Sequence, residues 1–291
     1  MEKDILHVVA GPTACGKTAH AIALAKAVGG EVVSADSMQV YQYMDIGTAK
    51  PTVAEMEGVP HHLLDVVTPD QHFTVADYVP LATAAIGDIL TRGKVPILAG
   101  GTGFYINAIL RGTQFTDGNQ AEDAQFRETY LALAQTHGVD YVHQKLAALD
   151  PTYAAGVHPN NVKKVVRALA FYHTTGTMLS AHNAKEKAAL GRYQVQLHVI
   201  EKPRDILYEN INARVLDMWD RGLPGEVEGL LNRGYHAAMK AMEGIGYKET
   251  IGFLEGRMTK DETIALMQQN TRHYAKRQDT WFRHQLGEAK A

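Results

Sequence analysis

The sequence has one cysteine, Cys15, in 291 residues. A lone thiol excludes an intrachain disulfide framework, and without Cys/His pairs at metal-ligand spacing a zinc module is excluded too. There is no surplus of positive charge: 29 Lys and Arg against 32 Asp and Glu give a formal net charge of -3. Contact with a polyanion must therefore come from local clusters of cations rather than from the field of the whole molecule. Long apolar runs are also missing. Residues 5–10 make a run only one strand long, followed by a glycine loop, which is neither a membrane span nor a secretory leader. No tandem repeat or low-complexity tract is present. With 45% hydrophobic and 21% charged residues, the expectation is a soluble cytoplasmic protein with no membrane association, built as one large domain with an insertion or as two modest domains.

What is present begins with alternation. Residues 5–10, 31–35 and 95–99 read as buried strands, residues 63–67 as a further strand, and residues 17–28 and 75–91 as helices. That order predicts an α/β fold with a parallel sheet, its functional groups just past the strand ends. From about residue 116 to 191 the strand signals vanish. Phe126, Tyr130, Leu133 and Ala134 recur at helical spacing and Gly138 supplies a stop, which predicts a helical insertion domain over 116–191 between core segments 1–115 and 192–291. Its last helix is expected to open at Asn160 or Asn161, with Val162, Val165, Val166 and Leu169 on one face and Lys163, Lys164 and Arg167 on another. A strand over 195–200 returns the chain to the core. Leu207, Ile211, Val215 and Met218 then mark a helix, and a long C-terminal helix includes Tyr274.

Gly11, Pro12, Thr13, Ala14, Cys15, Gly16, Lys17 and Thr18 match G-x-x-x-x-G-K-[ST] between a strand and a helix, the setting this motif needs. The core is therefore expected to be P-loop NTPase-like. Glycines let successive backbone N–H groups converge on an anion, the helix start adds positive potential, Lys17 adds a point charge, and the Thr18 hydroxyl can hold Mg2+. Two linked phosphates are what such a loop binds; a glycine turn without a ligand is the alternative. Cys15 reads as a small packed side chain rather than a reactive thiol. The motif specifies phosphate and not a reaction, and most such loops bind nucleotides such as ATP for phosphoryl transfer.

The residues after the second strand point elsewhere. Ser34, Ala35, Asp36, Ser37, Met38, Gln39, Val40 and Tyr41, followed by Met44, Asp45, Ile46, Gly47, Thr48, Ala49 and Lys50, resemble the D-S-x-Q-x-Y and M-D-I-G-T-A-K motifs of the tRNA dimethylallyltransferase family. Further matches are Pro60 to Leu63 with Asp65, Gly100 to Gly103 with Tyr105, His158 to Asn160, Gly246 with Tyr247, and Ala275 to Gln278 with Thr280 to Arg283. The resemblance implies transfer of a dimethylallyl group from its diphosphate to N6 of adenosine 37, beside the tRNA anticodon, with release of diphosphate and with Mg2+ as cofactor. It also implies roles. The P-loop would grip the donor's diphosphate, with Thr13, Lys17 and Arg214 on its oxygens, and Asp36 would take the proton from the adenine amine. The tRNA anticodon stem-loop would meet Asp36, Ser37, Met38, Gln39 and Thr102, the basic stripe Lys163, Lys164 and Arg167, the pair Gly246 and Tyr247, and Lys276, Arg277, Gln278, Trp281 and Arg283. At Lys163 and Lys164 the family more often shows Gln-Arg. The enzyme is expected to be a monomer.

The residues themselves leave plainer readings open. Asp36 could cap a helix or sit outside a Mg2+ shell, Gln39 and Thr102 could stabilise turns, Arg214 could be a surface ion-pair residue, and the C-terminal charges could form a solvated face. His61 and His62 are adjacent on an extended segment, so their side chains point apart and do not form a zinc pair. Three rival functions share the phosphate loop: prenylation of free adenine nucleotides, a kinase, and a nucleotide-dependent RNA-binding module without chemistry.

Overall fold

Val8, Val9, Val32, Val33, Ile97 and Leu98 are all buried, consecutive residues alike. Strands apolar on both faces need helices on both faces, the requirement of a parallel sheet. A computed structural model describes residues 3–113, 120–188 and 192–285. Among them, β1 (Ile5–Ala10), β2 (Gly30–Ser34), β3 (His61–His62), β4 (Val95–Gly100) and β5 (Gln194–Val199) form one sheet in the order β3-β2-β4-β1-β5. All its pairings are parallel. On one face α1 (Lys17–Val28) sets Ala21, Ile22 and Ala25 against Val9, Val32 and Ile97. On the other, α2 (Val75–Thr91) and α3 (Gly103–Arg111) pack Tyr78, Ala82, Ile86, Ile106 and Ile109 against Leu6, Val8, Val33 and Leu98.

The expected strand over 63–67 is not formed. β3 stops at His62, and Leu63 and Asp65 adopt positive φ values of 64° and 56°, which turn the chain away from the sheet. The physical reason is a local trap: the buried Lys50 ammonium holds the Asp65 carboxylate at 2.7 Å, and Asp65 N–H donates to the Gln39 carbonyl at 3.2 Å. Only an isolated bridge between Tyr41 and Val67 survives of the pairing.

Contacts divide the chain into two compact units, Met1–Leu110 with Arg192–Ala291, and Arg111–Gly191. Both insertion ends read from the sequence, near 115 and at 191, fall outside the described residues. The second unit holds α4 (Gln120–His137), α5 (Val139–Leu149), the single turn α6 (Pro151–Ala154), α7 (Val162–Thr175) and α8 (Leu179–Ala188). Asn161 opens α7, its side chain accepting from Lys164 N–H, and Val165, Val166 and Leu169 are buried while Lys163, Lys164 and Arg167 are exposed. α7 is not the last helix of this unit, because α8 follows; Gly176, left-handed at φ 66°, ends α7 and lets the chain restart.

The first unit is completed by α9 (Arg204–Asp220), α10 (Leu223–Asn232), a 3-10 turn (Lys240–Glu243), α11 (Tyr247–Leu254) and α12 (Lys260–Gln285). Val215, Leu223, Val227, Tyr247 and Met267 from these helices bury Val40, Tyr41 and Met44 of the loop after β2. No helix among the described residues is long and apolar enough to cross a membrane.

At the start of β2, Glu31, only 6% exposed, accepts from Arg92 at 2.5 and 2.8 Å and pairs with His62 Nε2 at 2.7 Å. Those bonds, Arg92 foremost, hold its carboxyl down at about 2 instead of 4.5. A depressed carboxyl stabilises the fold above its unfolded pKa, and that stability is lost as pH falls through its folded pKa. Thermal melts of the native protein should therefore show stability falling between pH 4.5 and about 2. Glu31→Gln should lower stability at neutral pH by about 1–3 kcal/mol and flatten that acid limb. An unaltered acid limb would detach Glu31 from it.

Candidate active site

Between β1 and α1 the chain turns through Ala14 at φ 63° and Gly16 at φ 98°. Left-handed residues in such a turn aim neighbouring N–H groups to one side, and the start of α1 has no side-chain cap of its own. Two cations serve this concavity. Lys17 folds back so that Nζ donates to the Pro12 carbonyl at 2.7 Å, and Arg214, carried in by α9, places Nη1 3.5 Å from Thr13 Oγ1. Burial pushes both below their ordinary ranges; Cys15 and Asp36 act against that shift, and Arg214 adds to it for Lys17. Neither cation has a carboxylate partner in an ion pair among the described residues. Cys15 is 1% exposed and packs with Leu207, Ile211 and Ala275, as a small core side chain does.

The facing wall comes from the loop after β2. Asp36 Oδ1 accepts from Met38 N–H at 2.9 Å, an Asx turn that fixes the carboxylate while spending one oxygen on the backbone. Ser37 N–H donates to Thr102 Oγ1 at 2.9 Å, and Thr102 N–H donates to the Ala35 carbonyl at 3.0 Å, so the glycine turn after β4 is bolted to the Asp36 loop. The approach is so close that a Cβ on Gly100 would sit 2.1 Å from the Ala35 oxygen. Asp36, Thr13, Lys17, Thr18, Arg214 and Tyr274 all line one cavity.

Several residues assigned to RNA from the sequence have other employment. Gln39 Oε1 accepts from Ser34 at 3.2 Å, while its Nε2 donates to the carbonyls of Ala49 at 3.2 Å and Thr48 at 3.4 Å, which pins the 48–50 loop. Gly246 and Tyr247 are buried, and the Tyr247 hydroxyl donates to Glu226 at 2.7 Å, so they offer no surface to RNA. Gln278, 6% exposed, accepts from Thr13 N–H at 2.8 Å and donates to the Gly101 carbonyl at 2.8 Å, joining α12 to the phosphate loop and to the glycine turn. Lys276, Arg277 and Arg283 are exposed on α12, Arg283 paired with Asp279 at 2.9 Å; Trp281 is partly covered. Lys163, Lys164 and Arg167 belong to the second unit.

Tyr274, read from the sequence only as a ring of the cationic C-terminal helix, reaches the cavity one turn before Gln278, and its hydroxyl lies with Thr102 and Gln278. The spacing of four residues was the available signal. The sequence reading missed His61, whose Nδ1 is 2.9 Å from the Val59 carbonyl and whose Nε2 is the one buried side-chain nitrogen or oxygen without a partner among the described residues. Burial lowers its pKa. His61 lines the cavity and His62 turns to Glu31.

Because Gln278 serves two backbone groups at once, Gln278→Leu leaves both unpaired, the Gly101 carbonyl in a buried setting and the Thr13 N–H at the cavity wall. That should cost about 1–3 kcal/mol of stability and weaken diphosphate binding roughly tenfold, read by thermal melts and by calorimetric titration with inorganic diphosphate. Unchanged diphosphate affinity would mean that the loop keeps its shape without α12.

Comparison with known proteins fits this geometry. Residues 39–285 match the IPP transferase family. A tRNA dimethylallyltransferase of Lachnoclostridium phytofermentans is 46% identical over 278 residues, 96% of this chain and 88% of that protein. Among solved structures, the tRNA isopentenylpyrophosphate transferase of Bacillus halodurans superposes with a TM-score of 0.70 at 41% identity, covering 97% of this chain and 87% of the other. A eukaryotic dimethylallyltransferase captured acting on tRNA gives a TM-score of 0.82 at 28% identity, covering 96% and 70%. With a family match across most of its length and relatives this similar, the chain belongs to the IPP transferase family.

Proposed function

We propose that this chain transfers the dimethylallyl group of dimethylallyl diphosphate to N6 of adenosine 37 in tRNA and releases diphosphate. The observation that carries this reading is the cavity itself: two half-buried, desolvated cations without carboxylate ion-pair partners among the described residues on one side and a fixed carboxylate, Asp36, on the other. Desolvated, unpaired cations are costly unless an anion arrives, and a diphosphate supplies one.

The chain's own residues account for the steps. The N–H groups of the 11–18 loop, Lys17 and Arg214 hold the diphosphate, and their hold tightens as negative charge grows on it when its bond to the prenyl carbon breaks. Arg214 suits the role because a guanidinium can give two parallel hydrogen bonds to phosphate oxygens. An exocyclic adenine amine is a poor nucleophile, its lone pair drawn into the ring. As the new C–N bond forms, the Asp36 oxygen not used in the Asx turn accepts the amine proton. Gln39 and Thr102 act one step back, by fixing the loop that aims Asp36. Thr18 offers the hydroxyl for Mg2+, and with no cluster of three acidic, His or Cys ligands among the described residues, diphosphate and water would fill the remaining positions. Bound there, Mg2+ would neutralise leaving-group charge.

A stacked adenine cannot enter such a cavity, so the base must be everted. The exposed cations Lys276 and Arg277 on α12, and Lys163, Lys164 and Arg167 on α7, are the groups we assign to the anticodon stem-loop phosphates. We place the reaction in the cytoplasm, carried out by a monomer; the single, buried thiol suits a reducing compartment.

Incubation with labelled dimethylallyl diphosphate, Mg2+ and either unmodified tRNA or AMP should put label in tRNA alone. Label in AMP alone would favour free nucleotides as acceptor, and ATP consumption without label in either would favour a kinase. Asp36→Asn keeps the Asx turn and should slow transfer about 10²- to 10⁴-fold with RNA affinity nearly intact. Equal loss of both would make Asp36 a structural residue. Replacing Lys276 and Arg277 together by Ala should weaken RNA binding and reduce its salt slope by about 2; an unchanged slope would remove α12 from the interface.

A further inference from the structure

Phe104 is the most exposed aromatic side chain among the described residues, at 66%. It is the second residue of α3 and follows Thr102 by two positions, so it starts where the glycine turn of the cavity wall ends. Its ring centroid lies 6.1 Å from that of Trp281, tilted by 54°. Trp281 is held from behind. Its ring lies against Gly103, where a Cβ would come within 2.3 Å of Cε3, and it meets the buried Phe282 edge-on at 5.3 Å. The pair is therefore anchored in the core on one side and open on the other.

Its position along α12 is informative. Tyr274 and Gln278 face the cavity, and Trp281 comes three residues after Gln278, on the next turn of the same face. Arg277 precedes Trp281 by four residues and lies on that side too, its guanidinium 5.8 Å from the Tyr274 ring centroid. Lys276 and Arg277 are exposed and neither forms an ion pair among the described residues. A docking site for an apolar protein surface would be a contiguous hydrophobic patch. Here an exposed ring, backed by Trp281, lies by the α12 face that also carries Arg277, and a ring beside a cation is the arrangement that stacks a base and neutralises its phosphate.

We propose that Phe104, backed by Trp281, is a stacking platform for the nucleobase adjacent to the one that enters the cavity, and so a specificity-determining contact for RNA. This rests on the reading of the chain as a tRNA-modifying enzyme. Eversion of one base strips its neighbour of a stacking partner, and an aromatic face one helical turn from the cavity replaces it. Stacking of this kind tolerates any base, so the platform selects for a splayed single-stranded loop rather than for a sequence.

The test uses the full chain and an anticodon stem-loop RNA with 2-aminopurine beside the target adenosine. Phe104→Ala should weaken stem-loop binding about tenfold, and remove most of the fluorescence change of the 2-aminopurine on binding. Affinity for inorganic diphosphate and the thermal midpoint should not change, since the ring is exposed and outside the phosphate loop. Phe104→Trp should restore binding, and Phe104→Leu should restore it only in part. If wild type binds and prenylates the RNA while Phe104→Ala binds it equally well, the platform is refuted and the proposed reaction stands. If wild type neither binds nor labels the RNA, the underlying reading fails and the platform fails with it. Loss of diphosphate affinity in Phe104→Ala would instead make the ring a structural support of the cavity, and overturn the proposal.

Discussion

One side chain joins the parts of this site that the chain makes far apart. Gln278 accepts from Thr13 in the phosphate loop and donates to Gly101 in the turn after β4, both at 2.8 Å. Its amide is the right chemical choice, because it offers an acceptor and a donor from one rigid plane, and the two backbone groups need one of each. Buried as it is, it cannot trade either bond for water, so losing α12 would leave two polar groups stranded. The consequence is that the phosphate cradle, the turn that fixes the Asp36 loop, and the cationic helix have one common fastener. Anything that moves α12 is felt in the geometry of the anion site.

The electrostatics of the cavity work in one direction. Lys17 and Arg214 are both desolvated, Arg214 further lowers Lys17, and Asp36 compensates only in part. A stable protein could have placed a carboxylate between them. In the proposed reaction the partner charge comes with the ligand, which would turn a destabilising feature of the free protein into binding and, as charge develops on a leaving diphosphate, into rate. Asp36 follows the same logic: one oxygen is given to Met38 for position, and the other is the one assigned to chemistry in the proposed reaction.

How much of this was legible in the sequence depended on the range of the interactions involved. The phosphate loop, β1, α1 and α2 could be read because strand alternation, helical period and the G-x-x-x-x-G-K-T spacing are all local. The roles of Asp36 and Arg214 came from resemblance, and the fold brings both to the cavity. What could not be read were the ties that close it. Thr13 and Gln278 are 265 positions apart, and Asp45 and Glu226 are 181 apart. No periodicity encodes such pairs. Tyr247, Gln39 and Gln278 were assigned to RNA through the family resemblance; the fold gives each a partner inside the protein, Glu226 for Tyr247, the Thr48 and Ala49 carbonyls for Gln39, and Thr13 with Gly101 for Gln278, while Gln39 and Gln278 also line the cavity. The strand over 63–67 failed for a similar reason, since a buried lysine fifteen residues away overrode local β-propensity.

The loop 44–50 shows why a cradle of N–H groups is not enough to define a binding site. There the N–H groups of Asp45, Ile46 and Gly47 converge at 3.0, 2.7 and 3.1 Å, and the anion they converge on is the Glu226 carboxylate, which also accepts from Tyr247. The protein has filled this nest itself, so it is a joint between α10 and the loop after β2. The phosphate loop is built on the same backbone principle, but no carboxylate among the described residues fills it as Glu226 fills the other, and two half-buried cations stand beside it. Missing counter-charge, rather than nest geometry, separates a site that must receive a ligand from one that holds the fold. That criterion supports the proposed role of the 11–18 loop as the receptor for an external polyanion, and the 44–50 loop is the scaffold that holds Gln39, and through it the Asp36 wall.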